Sequence, residues 1–152
     1  MLSQGRRNDK PTFQMKTSSE QVINKLYSAL QHSALKNAVS GSLYKSGLRP
    51  LNQVAEDIVV NFVSGTADQI QEGVANVNVF VPDIDNGAGA LVQNTARCRA
   101  LEVVANTWAD TLASADSEGY RFELDSMVET MQYEDKKQHF INLRLKFYYV
   151  TF

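Results

Sequence analysis

Valines at every second position mark the clearest element of the chain. In the segment 76–82, which reads NVNVFVP, asparagines and Phe80 fill the alternate positions. A period of two indicates a half-buried β-strand. A second run rich in β-branched residues, 57–65, precedes it, and the polar stretch between the two runs contains Gly65 and Gly73. The simplest interpretation is a pair of neighbouring antiparallel strands.

The first helix is predicted from a capping pattern followed by a helical repeat. Thr17 is a suitable N-cap, and Glu20 stands three residues later, where its side chain can complete a capping box. The following apolar residues recur with helical spacing, which predicts one buried helix face ending near His32. They are Val22, Ile23, Leu26, Tyr27 and Leu30.

The middle of the chain alternates between breakers and regular elements. The segment 38–44 is interpreted as a short strand around Gly41, and Gly47 and Pro50 predict a loop before the strand at 57. The segment 83–90 is small, acidic and rich in glycine, which predicts an exposed mobile loop. A second helix is predicted over 95–115, and its apolar stripe consists of Leu101, Val104, Ala105, Trp108 and Leu112.

The C-terminal part predicts a β-hairpin. Its strands are 126–133 and 139–152, and a charged turn at 134–137 joins them. Alternation places four apolar residues on the core face, namely Leu143, Leu145, Phe147 and Tyr149. The same alternation turns Tyr148 and Phe152 outward.

These elements predict an α+β fold in one domain, 17–152, in the order α-β-β-β-α-β-β. We expect a largely antiparallel sheet of about four to five strands with two helices packed on one face. The preceding segment, 1–16, contains Arg6, Arg7 and Lys10 and lacks periodicity, so we expect a disordered basic N-terminal arm. The alternatives are a plain unstructured tail or a leader before a true start at Met15.

The composition favours some classes of protein for this chain over others. With 152 residues, 43% of them hydrophobic, and a formal net charge of -2, the chain suits a single domain with a sizeable core. A specific nucleic-acid binder is disfavoured because such proteins carry a basic excess. No apolar run approaches the roughly 20 residues that cross a bilayer, so we expect no membrane partner and a cytosolic protein. Cys98 is the only cysteine, and we expect it to pack inside the fold.

The sequence contains no complete motif for binding a metal ion or a cofactor, so we expect neither. The stretch that starts at Asp83 superficially resembles a calcium loop, but Ala88 stands at the position of the invariant glycine and Asn94 at that of the bidentate glutamate. The glycines near residue 88 have no phosphate-binding continuation. His32 and His139 lack partners at metal-ligand spacing.

Residues for catalysis are also few, and we expect a protein that is not an enzyme. Cys98 and His139 could in principle form a nucleophile and base, but a cysteine on a helix without an activating motif is usually inert. Glu129 and Glu134 lie in a predicted solvent-facing hairpin, where solubilising charge is the default role.

Several short motifs resemble the tail-completion proteins of tailed bacteriophages, and most of all their tail terminators. The motifs are GSLY at 41–44, Arg49-Pro50, EDIVV at 56–60 and VNVFVPD at 77–83. The resemblance implies a minor tail protein of a phage or prophage that forms a ring, usually a hexamer. Such a ring caps the tail tube and contacts the tail-tube protein and the head-tail connector. It also implies assembly in the host cytoplasm and a final place in the virion tail.

A ring of identical subunits needs two different patches that fit each other. The candidate interface residues are the basic Lys45 and Arg49, the acidic Asp83 and Asp85, and the outward aromatics Tyr148 and Phe152. Opposite charges would fix register and partner choice. Solvated loops explain the same charges without an interface. Another head-tail joining adaptor, or a non-catalytic module that binds a ligand or peptide, is the alternative function.

Overall fold

Two long helices lie against one face of a mixed β-sheet. The computed structural model describes residues 15–115, 118–134 and 137–150. In these residues the helices are α1 (Ser19–Leu30), α2 (Ala34–Ala38) and α3 (Thr95–Ser114). The strands are β1 (Leu43–Lys45), β2 (Ile58–Gly65), β3 (Ile70–Pro82), β4 (Ile84–Asp85), β5 (Leu91–Val92), β6 (Tyr120–Leu124), β7 (Glu129–Gln132) and β8 (Gln138–Val150).

The main sheet has six strands in the described residues, in the order β1-β2-β3-β8-β6, and β7 pairs with β8 next to β6. All pairs are antiparallel except β1 with β2, which is parallel. Strands β4 and β5 form a separate hairpin. The α+β class is therefore confirmed. The predicted count of four to five strands and two helices is too low, and the predicted element order is only partly correct.

The two long central strands bury the same face on which the helices pack. In β3, Val77 and Val79 are buried, and they alternate with half-buried asparagines. In β8, the predicted core face is confirmed, since Leu143, Leu145, Phe147 and Tyr149 are all buried. Each of these side chains, removed from water, contributes about 1.5–3 kcal/mol to folding. This layer of side chains between sheet and helices is the core.

The other face of the sheet, called here the open face, carries polar side chains along its middle. Asn142 on β8 donates its amide to Asn78 on β3 at 2.8 Å and to Asn76 at 3.3 Å. At one end of this face the loop 46–57, which connects β1 to β2, covers Phe80. In the described residues, the loop therefore covers this end of the open face.

Helix α1 begins one residue later than its sequence predicts. Ser18 is the N-cap, and Gln21 completes the capping box in place of Glu20. Thr17 is engaged elsewhere, since its backbone N–H donates to Gln71 Oε1 at 2.8 Å and its hydroxyl bonds the Tyr120 hydroxyl. The prediction of a Thr17 cap is wrong because these contacts to the sheet use the groups that a cap would need.

Helix α3 matches the predicted second helix closely. It covers Thr95–Ser114, and Leu101, Ala105 and Trp108 of the predicted stripe are buried against the sheet. Val104 and Leu112 are partly buried and pack against the same core. The helical repeat in this segment was sufficient to predict the helix, since the core contacts recur every third or fourth residue.

Strand β3 starts six residues before the valine run, at Ile70, and includes Gly73. The sequence predicts Gly73 in the connection between the two strands, but it lies within β3, opposite Gly65 of β2 and Phe147 of β8. A Cβ at Gly73 would overlap the carbonyl of Ser64 and approach the Phe147 ring. This glycine therefore provides room for an aromatic ring and does not mark a turn.

Short elements account for the other departures from prediction. The expected strand over 38–44 is replaced by the end of α2 and by β1, which begins only at Leu43. Strand β6 was not predicted, and the expected mobile loop after Pro82 contains the hairpin β4–β5. Residues 1–14 of the predicted disordered arm lie outside the described residues. Its last two residues, Met15 and Lys16, are exposed.

Candidate interaction surface

The loop 46–57 is held on the end of the sheet by a buried ion pair. Arg49 Nε donates to Asp57 Oδ2 at 2.9 Å, and the exposed fractions of the two side chains are 11% and 1%. The guanidinium of Arg49 also lies 4.0 Å from the centroid of the Phe80 ring, and its Nη2 donates to Gln138 Oε1 at 3.0 Å. Arg49 thus connects the loop with β3 and β8.

Asp57 is the acceptor on which this connection depends. Besides Arg49, it accepts hydrogen bonds from the Ser42 backbone N–H at 2.8 Å and from Gln53 Nε2 at 2.5 Å. Burial alone would raise the pKa of Asp57, but these hydrogen bonds outweigh it and the pKa lies below its usual value. The carboxylate is therefore charged, and its charge is satisfied inside the fold.

Gly41 makes the close approach of this loop possible. Its backbone N–H donates to the Glu56 carbonyl at 2.9 Å. A Cβ at this position would overlap both that carbonyl and the Asp57 carboxylate. The GSLY motif therefore begins with a glycine because the chain around Asp57 leaves no volume for a side chain.

A second ion pair joins the same loop to the start of α3. Arg97 Nε and Nη2 donate to the two carboxylate oxygens of Glu56 at 2.8 and 2.9 Å, and Nη2 also donates to the Ala38 carbonyl at 2.5 Å. The hydrogen bond from Arg97 holds the pKa of Glu56 below its usual value, against the effect of burial. The two adjacent carboxylates, at 56 and 57, thus fix the loop through two different arginines.

The hairpin β4–β5 follows directly from the end of β3. At its base, Asp83 Oδ1 lies 2.7 Å from Nδ1 of His139, and the Asp83 side chain is only 3% exposed. The backbone N–H of Asp83 also donates to the Lys137 carbonyl at 2.9 Å. These bonds tie the base of the hairpin to the start of β8, while the rest of the hairpin is exposed.

Apolar side chains are exposed on this loop and hairpin. We call them the loop-hairpin surface. Leu51 is 93% exposed, Leu48 67% and Leu91 53%, and the other members are less exposed. Val54 and Ile84 line one shallow groove, so the loop and the hairpin lie side by side there. Its members are Leu48, Leu51, Val54, Ile84, Leu91 and Val92. Clustered exposed apolar residues are typical of interaction sites.

A cavity of about 610 Å³ lies beside this surface, under the loop. Arg49, Gln53 and Gln138 line it together with the rings of Phe80 and Tyr133. Because Arg49 and Gln138 already bond each other, the cavity wall is a preformed part of the fold. Its volume and mixed lining suit a small ligand or a side chain of a partner.

The predicted interface residues lie in different environments. Lys45 Nζ bonds Asn24 and lies 3.4 Å from Glu20 Oε2, so its charge is directed toward α1. Arg49 and Asp83 are engaged in the buried pairs described above, and Asp85 is exposed on the hairpin. The prediction of an exposed Asp83 is wrong, because His139 draws its carboxylate into the fold. Charge pairing between subunits stays a prediction.

The structure describes one of the two aromatic residues that were predicted at the interface. Tyr148 points to the open face, as expected, and is half-buried with Lys146 Nζ 5.3 Å from its ring centroid. Phe152 lies outside the described residues. Tyr148 is not part of the loop-hairpin surface. That surface was missed from sequence because its leucines are scattered in a loop with no period, and only their exposure identifies them.

Cys98 and His139 are not arranged as an activated pair in the described contacts. Cys98 is 2% exposed, and burial raises the pKa of its thiol, with the charges of Glu102 and Asp83 adding to the shift. The His139 ring nitrogen Nδ1 bonds Asp83. An activated nucleophile needs a lowered pKa, and here the shift has the opposite sign.

The described ranges contain no cluster of three or more histidine, cysteine, aspartate or glutamate side chains suited to a metal ion. Among the helices that the structure describes, none is long and apolar enough to span a membrane. A scan against models of protein families finds no match, and a search of curated proteins finds no similar sequence.

Proposed function

We propose that this chain is a structural subunit that completes the tail of a bacteriophage, as a ring of identical copies that caps the tail tube. The observation that carries the proposal is the loop-hairpin surface, where Leu51 and its apolar neighbours are exposed on a loop held by Arg49 and Asp57. A preordered apolar surface binds with little loss of conformational entropy. This favours an assembly role without catalysis.

The resemblance of the GSLY, EDIVV and VNVFVPD motifs to tail terminators supports the same role from the sequence. Two of these motifs have a clear structural use, since Gly41 and Asp57 belong to the network that holds the loop. The tail-tube protein and the head-tail connector are the proposed partners. In this proposal the protein assembles in the host cytoplasm and ends in the virion tail.

The first test is the native mass of the purified chain over a concentration series, measured by light scattering, with negative-stain imaging of the large species. We expect closed rings. Leu51→Asp should reduce ring formation, because it places a charge at the most exposed residue of the apolar surface. Val103→Asp is the matched control, since Val103 is 63% exposed on α3 and is not a member of that surface. Equal loss in both variants would contradict the assigned surface.

The second test addresses the tail itself. Disrupting the coding sequence in the phage or prophage that carries it should yield particles with tails of abnormal length, and supplying the wild-type chain should restore them. Tails of normal length without this chain would overturn the terminator role. In that case, another head-tail joining adaptor becomes the better proposal.

One observation favours the alternative of a binding module. The cavity beside the loop is large enough for a small ligand, and Gln53 and Gln138 line it next to two aromatic rings. If the chain stays monomeric at every concentration, this cavity is the next place to test, by soaking crystals with a fragment library. Density in the cavity would support the binding module.

A further inference from the structure

In the part of the chain that the structure describes, the main sheet ends in a free strand edge on each side. On one side the last strand is β1, which pairs with β2. On the other side β6 and β7 both pair with β8, and β7 lies along the first half of β8. A free strand edge presents backbone N–H and C=O groups to which another chain can hydrogen-bond.

On β1, the residues whose backbone groups point away from the sheet are Leu43 and Lys45. The carbonyl of Ser42 accepts the N–H of Ile58 at 2.9 Å, so the even-numbered residues of this strand bond β2 and the odd-numbered ones do not. Both Leu43 and Lys45 are half-buried. The ammonium group of Lys45 is bound to side chains of α1, so its charge does not protect the edge from a partner.

On β7, the corresponding residues are Thr130 and Gln132. The N–H of Tyr133 donates to the carbonyl of Gln138 at 3.0 Å, so the odd-numbered residues of β7 bond β8 and the even-numbered ones point away. Thr130 is half-buried and Gln132 is exposed. Each edge therefore offers backbone groups at two residues.

The two edges lie at the same level of the sheet. A single row of paired residues crosses five strands, and its members are Leu43, Ile58, Val79, Ile141 and Thr130. Paired residues of neighbouring strands lie side by side, so the row runs across the strands from one edge to the other. A contact between the two edges of different copies therefore needs no shift along the strands.

The directions of the strands also agree with such a contact. Strand β1 is parallel to β2, and three antiparallel pairings lead from β2 through β3 and β8 to β7, so β1 and β7 run in opposite directions. A rotation about an axis parallel to the strands keeps these directions, and β1 of one copy then meets β7 of the next as an antiparallel pair. A heterologous contact of this kind closes into a ring when it involves no shift along the axis.

Exposed apolar side chains flank both edges. Met131 on β7 is 41% exposed, and Met127, two residues before this strand, is 79% exposed. Leu48 is 67% exposed and lies close to β1, since its N–H donates to the Lys45 carbonyl at 3.1 Å. A contact between the edges would remove apolar surface from water, which favours association. The backbone groups would fix its register.

We propose that β1 of one copy pairs with β7 of the next copy as antiparallel strands, with Leu43 opposite Thr130, so that the sheets continue around the ring. The partner is a second copy of this chain because its two edges match in level and direction. This inference rests on the proposed function, since it names the two surfaces that build the ring. It places Leu48, a member of the loop-hairpin surface, at the rim of the contact.

Disulfide trapping tests the register. In this pairing Ser42 lies opposite Met131, and alternation places both side chains on the open face. Both residues are exposed, and a pair of this type has Cα atoms about 4.5 Å apart, which suits a disulfide. The variant carrying Ser42→Cys and Met131→Cys should form a ladder of covalent oligomers on oxidation. The native Cys98 is buried and should not react.

The matched control combines Ser42→Cys with Gln132→Cys. Gln132 is exposed and adjacent to Met131, but alternation places its side chain on the other face of the sheet. We expect trapping in the control to be lower by about tenfold or more, because a disulfide cannot join Cβ atoms that point apart. Circular dichroism verifies that both variants fold.

Mixing the two single variants, one with Ser42→Cys and one with Met131→Cys, should give covalent dimers only. Dimers from either single variant alone would overturn the inference, because identical edges would then meet. Equal trapping in the control would also overturn it, since the copies would then meet without this register. Rings in light scattering without trapping would overturn this inference and leave the proposed function standing. Monomers at every concentration would overturn both.

Hydrogen exchange tests the same contact in the unmodified chain. The N–H groups of Leu43 and Thr130 point away from their own sheet, so they should exchange at least about tenfold more slowly in rings than in dilute monomers. The N–H of Asp68, in the exposed turn between β2 and β3, is the control and should not change. Equal rates for Leu43 and Thr130 in the two states would overturn the pairing.

Discussion

Arg49 and Asp57 stand eight residues apart in the chain and form an ion pair of 2.9 Å that is almost removed from water. The pair closes the loop 46–57 onto the open face, and Asp57 also accepts bonds from Ser42 and Gln53. A buried pair of this kind stabilises little relative to two well-packed apolar residues, but breaking it is costly. The role of the pair here is to fix the position of the loop.

Asp57→Asn should therefore lower the free energy of unfolding at pH 7 by about 3 kcal/mol, because it leaves the Arg49 charge buried without its counter-charge. Urea unfolding followed by fluorescence of Trp108 measures the change. Asp110→Asn is the control, since Asp110 is exposed on α3 and its replacement should change stability by less than about 0.5 kcal/mol. Equal effects in the two variants would show that the pair is unimportant.

The same pair predicts a dependence on pH. The pKa of Asp57 is lower in the folded chain than in the unfolded one, so its stabilising contribution is complete above the unfolded value, about 3.9, and is lost as pH falls through the folded value. The difference in stability between the wild type and Asp57→Asn should be constant from pH 7 to about 5 and shrink below about 4. A difference that persists unchanged to about pH 2 would contradict this assignment.

Gly41→Ala should destabilise the fold by about 1–3 kcal/mol, because the added methyl overlaps the Glu56 carbonyl and the Asp57 carboxylate. Thermal unfolding measured by calorimetry gives the change. Ser40→Ala is the neighbouring control, since Ser40 is exposed and donates to Glu56 through its backbone N–H, which the substitution keeps. If Gly41→Ala is neutral, the loop moves more easily than its contacts suggest.

Cys98 should react slowly with a thiol reagent in the native protein. Burial raises the pKa of its thiol and also blocks access, so both thiolate fraction and contact with the reagent are low. We expect a rate about 100-fold or more below that of the same chain in urea. A native rate close to the unfolded one would mean that the start of α3 opens readily and would revive a reactive role for this cysteine.

The periodicity of apolar residues predicted the long elements correctly. The repeat around Trp108 predicted α3, and the alternation from Leu143 to Tyr149 predicted the core face of β8, because each pattern reports contacts with one continuous surface. Helix α2 has five residues and buries only Leu35, and β6 has five residues, so neither is long enough to establish a period.

The candidate site was harder to predict for a different physical reason. Arg49 and Asp83 look like exposed loop charges in the sequence, but each is hydrogen-bonded to a residue that only the tertiary structure brings close, Asp57 for one and His139 for the other. The exposure of Leu51 is likewise invisible in the sequence, because leucine is a residue type that is usually buried. Such features depend on the path of the loop.

The place of β8 in the sheet has a consequence for synthesis of the chain on the ribosome. This strand lies between β3 and the pair β6 and β7, and it spans Gln138–Val150, so its partner Ile70 precedes Val150 by a long stretch of chain. Contacts so distant in sequence form slowly. The edge of β3 that pairs with β8 therefore stays without its neighbour until β8 has left the exit tunnel, and the main sheet cannot be completed before that point.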